Sequence, residues 1–135
     1  MEWGYADVAY LYHKGGDMGS TGLSGGSRVS KAGLRVDCYG HIDEANAQLG
    51  VAYASSCHEE VRQSVRKIQD RLFLLAAELA SDEKGAASLV DPIGEEDVRY
   101  LEGLIDDITE RTGKLHAFVV PGANLASAQL HVART

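Results

Sequence analysis

Residues 59–80 read EEVRQSVRKIQDRLFLLAAELA, and the apolar positions Val61, Val65, Ile68, Leu72, Leu75 and Leu79 step alternately by four and three. That alternation is the signature of one face of an α-helix. It predicts an amphipathic helix about 33 Å long at ~1.5 Å per residue. A single apolar stripe must be buried against others, and the flanking sequence supplies them. Upstream, Ile42, Ala45, Leu49 and Ala52 step by three, four and three, predicting a helix over roughly 35–54. Downstream, SDEKGAASLVDPIG (81–94) breaks the period. Val98, Leu101, Ile105 and Ile108 then resume it as far as Thr112, where Gly113 gives a stop. His116 to Val120 is apolar and β-branched and ends in Pro121-Gly122, an extended connector and a turn. Asn124 can cap a fourth helix from Leu125. That helix reaches Thr135 without a cap or breaker, so the expectation is that it is cut short. No segment alternates strongly enough to compete as a strand. The predicted fold is all-α, an antiparallel four- or five-helix bundle preceded by a glycine-rich N-terminal loop.

The 135 residues, 44% hydrophobic and 24% charged, fit a single domain with its own core. Residues 1–34 form the arm and loop of that domain and 35–135 its bundle. A net charge of −7 argues against nucleic acid or an anionic membrane as partner, since both demand a dominant basic surface. Cys38 and Cys57 form neither a CxxC pair nor a disulfide framework, so reduced thiols in a cytoplasmic protein are expected. The first dozen residues, MEWGYADVAYLY, lack the basic flank of a secretory signal. No apolar run reaches the ~20 residues of a membrane helix.

Residues 13–31, HKGGDMGSTGLSGGSRVSK, hold six of the 15 glycines, with serines and a threonine between them. Over 13–35 the cations Lys14, Arg28, Lys31 and Arg35 face Asp17 alone, a net +3, which leaves −10 for the rest of the chain. Glycines let backbone N–H groups converge on oxygens and lysines neutralise charge, so the segment has the makings of a phosphate cradle. It carries neither a P-loop nor a dinucleotide-binding fingerprint, and a surface loop accounts for its composition about equally well. On the first helix Tyr39, Asp43, Asn46 and Gly50 share a face, and on the last Ser127, His131 and Arg134 do. Such polar faces are more often simply solvated. The five histidines show no metal-ligand spacing, and no nucleophile motif is present. Phe118, one of two phenylalanines, reads first as a core plug.

Four segments in order, YHKGGDMGSTGLSGGSRVSK (12–31), YGHIDEANAQLG (39–50), IQDRLFLLAAELAS (68–81) and FVVPGANLASAQLHVART (118–135), resemble the cob(I)alamin adenosyltransferases of the propanediol-utilisation type. The resemblance implies a homotrimer with active sites between subunits. It implies transfer of the 5′-deoxyadenosyl group of ATP to a Co(I) corrinoid, giving adenosylcobalamin and triphosphate, with Mg²⁺ accompanying ATP. Cobalt is then the nucleophile, so the missing serine or cysteine motif is no obstacle. The implied nucleotide residues are His13, Lys14, Gly15, Gly16, Thr21, Gly22 and Lys31. Asp43 matches the family's aspartate and Arg134 its partner across the interface. Phe118 matches the aromatic at the lower axial face of cobalt, where excluding a ligand eases reduction to Co(I). A reductase and an adenosylcobalamin-dependent enzyme are the implied protein partners. His13 and Gly15 stand where the family has threonines, and the family continues beyond Arg134 with a second arginine and a further helix. A different class, a non-catalytic helical module that carries or senses a corrinoid or nucleotide, is the alternative.

Overall fold

The computed structural model describes residues 14–135. Helix α1 spans Leu34–Ser55, α2 Glu59–Leu79, α3 Glu83–Ala86, α4 Glu95–Thr112 and α5 Leu125–Arg134. The four long helices fall where the apolar periods put them, within a few residues. Asn124 caps α5 by accepting from Ser127 N–H at 2.9 Å, and Ser127 Oγ accepts from Asn124 N–H at 3.2 Å. Residues 113–124 form the connector without regular structure. Two elements differ from expectation. The glycine-rich segment contains an antiparallel hairpin, β1 (Ser20–Gly22) with β2 (Arg28–Ser30), in which Thr21 faces Val29. The break after α2 contains the single turn α3.

Cross-helix contacts fix the directions. Between α1 and α2, Arg35 reaches the Ser81 carbonyl just beyond α2, Asn46 meets Gln69, and Tyr53 meets Arg62. Rising numbers on one helix meet falling numbers on the other, so the pair is antiparallel. Asn46 and Gln69 are buried and hold each other's backbone, Asn46 Nδ2 donating to the Gln69 carbonyl at 3.3 Å and Gln69 Nε2 to the Asn46 carbonyl at 3.0 Å. Helix α5 also packs on α1, with Gln48 and Gln129 joined side chain to side chain. Helix α4 reaches α2 through long side chains. Arg71 donates to Asp97 at 2.8 Å and to Asp91 at 2.6 Å, Lys67 lies 3.5 Å from the centre of the Tyr100 ring, and Arg111 pairs with Glu60.

This row of helices does not close on itself, which corrects the expectation of a self-sufficient core. Among the described residues only Leu23, Ala52 and Val65 are buried apolar side chains. Val98, Leu101, Ile105 and Ile108, the stripe of α4, are all exposed, Ile105 at 63%. Among the described residues no helix is long and apolar enough to cross a membrane.

Candidate functional site

The hairpin organises the basic segment. Arg28 is exposed yet engaged: its Nη2 donates to the Gly15 carbonyl at 2.7 Å and the Ser20 carbonyl at 3.1 Å, folding residues 15–20 back along β2. Arg35 is likewise engaged, with Nη1 on the Ser81 carbonyl at 2.8 Å. Both arginines, themselves exposed, therefore brace the segment, and the exposed lysines Lys14 and Lys31 add their charge to it. A Cβ at Gly16 would stand 2.9 Å from Lys31 Nζ, so glycine there lets the ammonium lie against the backbone. Lys31 N–H closes the fold on the Gly19 carbonyl at 2.9 Å. Lys14 adopts φ 58°, a left-handed conformation that turns the chain into the segment.

The far end of the hairpin is anchored to the end of α2. Ser24 N–H donates to the Ala80 carbonyl at 2.8 Å, and Asp82 N–H returns to the Ser24 carbonyl at 2.9 Å. The Asp82 carboxylate accepts from Ser27 N–H at 2.9 Å, from the Ser27 hydroxyl, and from Gly85 N–H at 3.0 Å. Those donors, the Ser27 hydroxyl foremost, hold its pKa down to about 2. Asp82 was missed in the sequence; an aspartate three residues before Gly85 signals a helix cap but not a partner 55 residues away.

The structure brings Lys14, Gly15, Gly16, Thr21, Gly22 and Lys31 together on one hairpin and its lead-in. His13 lies outside the described residues. Asp43 is exposed on α1 and Arg134 exposed on α5. Arg134 borders an open cleft of about 690 Å³ with His41, Glu44, Gln48 and Val132. Among the described residues no ion pair joins Asp43 to Arg134 within one chain. The face shared by Asp43 and Asn46 divides, since Asn46 turns inward to Gln69 while Asp43 stays in solvent. The last helix divides too: Ser127 serves the cap and His131 is half-buried. Phe118 is wholly exposed in the connector, which overturns its reading as a core plug.

Fold and site together define a helical protein with a braced, lysine-bearing glycine hairpin. Comparison with known proteins makes the class specific. Residues 11–135 match the cobalamin adenosyltransferase family. A corrinoid adenosyltransferase of Citrobacter freundii is 54% identical over 125 residues, covering 93% of this chain and 71% of that protein. The corrinoid adenosyltransferase PduO of Salmonella typhimurium is 40% identical over the same share of this chain, which spans 37% of its length. A solved structure of a phenylalanine-to-alanine variant of a PduO-type ATP:corrinoid adenosyltransferase from Lactobacillus reuteri, complexed with cobalamin and ATP, superposes with a TM-score of 0.82. It shares 28% sequence identity, and the match covers 93% of this chain and 70% of that one. The chain belongs to the cobalamin adenosyltransferase family, as a transferase of the PduO-type corrinoid adenosyltransferase kind.

Proposed function

We propose that this chain, in the protein to which it belongs, moves the 5′-deoxyadenosyl group of ATP to the cobalt of a Co(I) corrinoid, with ATP entering as its Mg²⁺ complex. The cobalt lone pair attacks C5′, a Co–C bond forms as the C5′–O bond breaks, triphosphate departs with the bonding pair, and cobalt becomes formally Co(III). The chemistry asks the protein for positioning and for stabilisation of the departing charge rather than for a nucleophile. Lys14 and Lys31, with backbone N–H groups of the glycine loop, meet the triphosphate; Thr21 and Gly22 lie along the same strand. His13 is a further nucleotide contact in this reading. Phe118 covers the lower face of cobalt, and its exposure leaves the ring available for that contact. Asp43 and Arg134 pair between neighbouring copies in a homotrimer, which the exposed apolar faces of α4 and the connector support. The protein works in the cytoplasm, receiving reduced corrinoid from a reductase and delivering its product to an adenosylcobalamin-dependent enzyme.

The observation that carries this reading is the hairpin of a family member in which Arg28 and Arg35 are engaged with backbone carbonyls and Lys31 lies against Gly16. The test is anaerobic incubation with ATP and chemically reduced cobalamin, following the absorbance of adenosylcobalamin, beside calorimetry of ATP binding. Lys31→Ala should weaken ATP by roughly ten- to a hundredfold, the equivalent of losing one charge-assisted contact of about 1.5–3 kcal/mol. Unchanged affinity would place the nucleotide elsewhere.

A further inference from the structure

We infer that Asp82 is a positioning residue for the nucleotide: its carboxylate clasps the tip of the hairpin and thereby holds residues 14–31 in their binding shape. The inference rests on the reading of that segment as the ATP loop.

A helix cap alone does not account for the geometry. Capping the four-residue α3 needs one oxygen, and Oδ1 supplies it by accepting from Gly85 N–H. The second oxygen, Oδ2, takes both donors of Ser27, from another part of the chain. The backbone has been cleared for this approach from both sides. A Cβ at Gly25, where φ is +105°, would fall 1.7 Å from Oδ1, and one at Gly85 would fall 2.1 Å from the Ser24 carbonyl oxygen. Two main-chain bonds, Ser24 to Ala80 and Asp82 to Ser24, add a short parallel bridge beside the carboxylate. The clasp is continuous with the loop it serves. Ser27 is followed by Arg28, which holds the carbonyls of Gly15 and Ser20, and the strand ends one residue before Lys31. Tip, strand, Arg28 and the Gly15-Gly16 turn thus form one connected unit fixed to the rigid end of α2. A strand pair of three residues each, rich in glycine and serine, has little means of holding itself together without such an anchor.

Asp82→Ser tests the clasp apart from the cap, because serine caps a helix about as well as aspartate but offers no second oxygen to Ser27. The full chain should then bind MgATP about tenfold more weakly, as the binding-competent loop falls to roughly a tenth of the population. Cobalamin affinity should stay unchanged. Amide exchange should quicken across residues 20–30 and not within α1 or α2. Ser27→Ala removes only the hydroxyl donor and should move ATP affinity the same way by less. Wild-type ATP affinity in Asp82→Ser overturns the proposal, as does an equal loss of cobalamin affinity, which would signify general destabilisation. Lys31→Ala, run alongside, separates the two failures. If it weakens ATP while Asp82→Ser does not, the clasp is wrong and the loop assignment stands. If neither variant weakens ATP, the loop assignment has failed and the clasp with it.

Discussion

Phe118 stands in full contact with solvent on a connector without regular structure, so its ring contributes almost nothing to the stability of the chain. Truncating a core phenylalanine costs about 3–5 kcal/mol, whereas exposed positions change stability by about 0.5 kcal/mol or less. Phe118→Ala should therefore leave the melting temperature and ATP affinity unmoved. It should diminish the spin-resonance signal of four-coordinate Co(II) and slow formation of adenosylcobalamin. A large fall in melting temperature with that signal intact would return the ring to a packing role. Asp82 makes the opposite kind of contribution. Its carboxyl is held down to about 2 from 3.8, so it binds protons more weakly folded than unfolded. Its stabilisation is therefore complete above about pH 4 and disappears as pH falls through about 2. The difference in melting temperature between wild type and Asp82→Ser should narrow from pH 4 to pH 2. A constant difference would mean that Ser27 does not read the charge.

At the level of elements, the α1–α2 hairpin is tied at mid-height by Asn46 and Gln69, whose side chains each donate to the other's backbone inside an apolar seam. Asn46→Ala removes the donor to the Gln69 carbonyl and leaves a gap in the buried seam, while the bond from Gln69 Nε2 to the backbone carbonyl of residue 46 remains. The expected loss is about 1–3 kcal/mol in a urea titration, with ATP affinity retained because the contact lies away from the hairpin. A loss confined to ATP binding would make Asn46 a site residue instead. Polar faces are where sequence reading is weakest, as this pair illustrates. Four long helices were legible because a stripe such as Val61 to Leu79 repeats often enough to exclude other periods. Asn46 was not, because the same spacing that aligned it with Asp43 cannot say which polar residue on a broad face turns inward. The hairpin was hidden for another reason: strands of three residues, Ser-Thr-Gly and Arg-Val-Ser, are too short to show a period, and their anchorage comes from Ala80 and Asp82, distant in sequence. The glycine loop was legible as a basic segment, yet the bracing role of Arg28 and Arg35 depends on carbonyls that only the fold brings within reach.

At the scale of the molecule, the described residues leave many large apolar side chains exposed. Val98, Ile105 and Ile108 on α4, Leu115, Val119 and Val120 on the connector, and Val132 on α5 all lie open. Surfaces of this kind mark contacts with other chains or segments. Polar pairs then fix which apolar faces meet. Asp43 and Arg134 suit that task because both are exposed, on the two adjacent helices α1 and α5, and neither is joined to the other within one chain. If they pair between copies, removing one charge leaves the other desolvated in the interface, at a cost of about 2–5 kcal/mol. Asp43→Asn should then lower both trimer content, measured by light scattering at micromolar concentration, and adenosylation. A charge swap gives the sharper test. Asp43→Arg and Arg134→Asp should each disrupt assembly alone, by placing like charges face to face, and should restore it when combined. Activity need not return with assembly, since the swapped pair presents its charges to substrate in the reverse order. Wild-type assembly in both single variants, or no recovery in the double variant, would remove Asp43 and Arg134 from the interface and leave the apolar faces to determine the assembly.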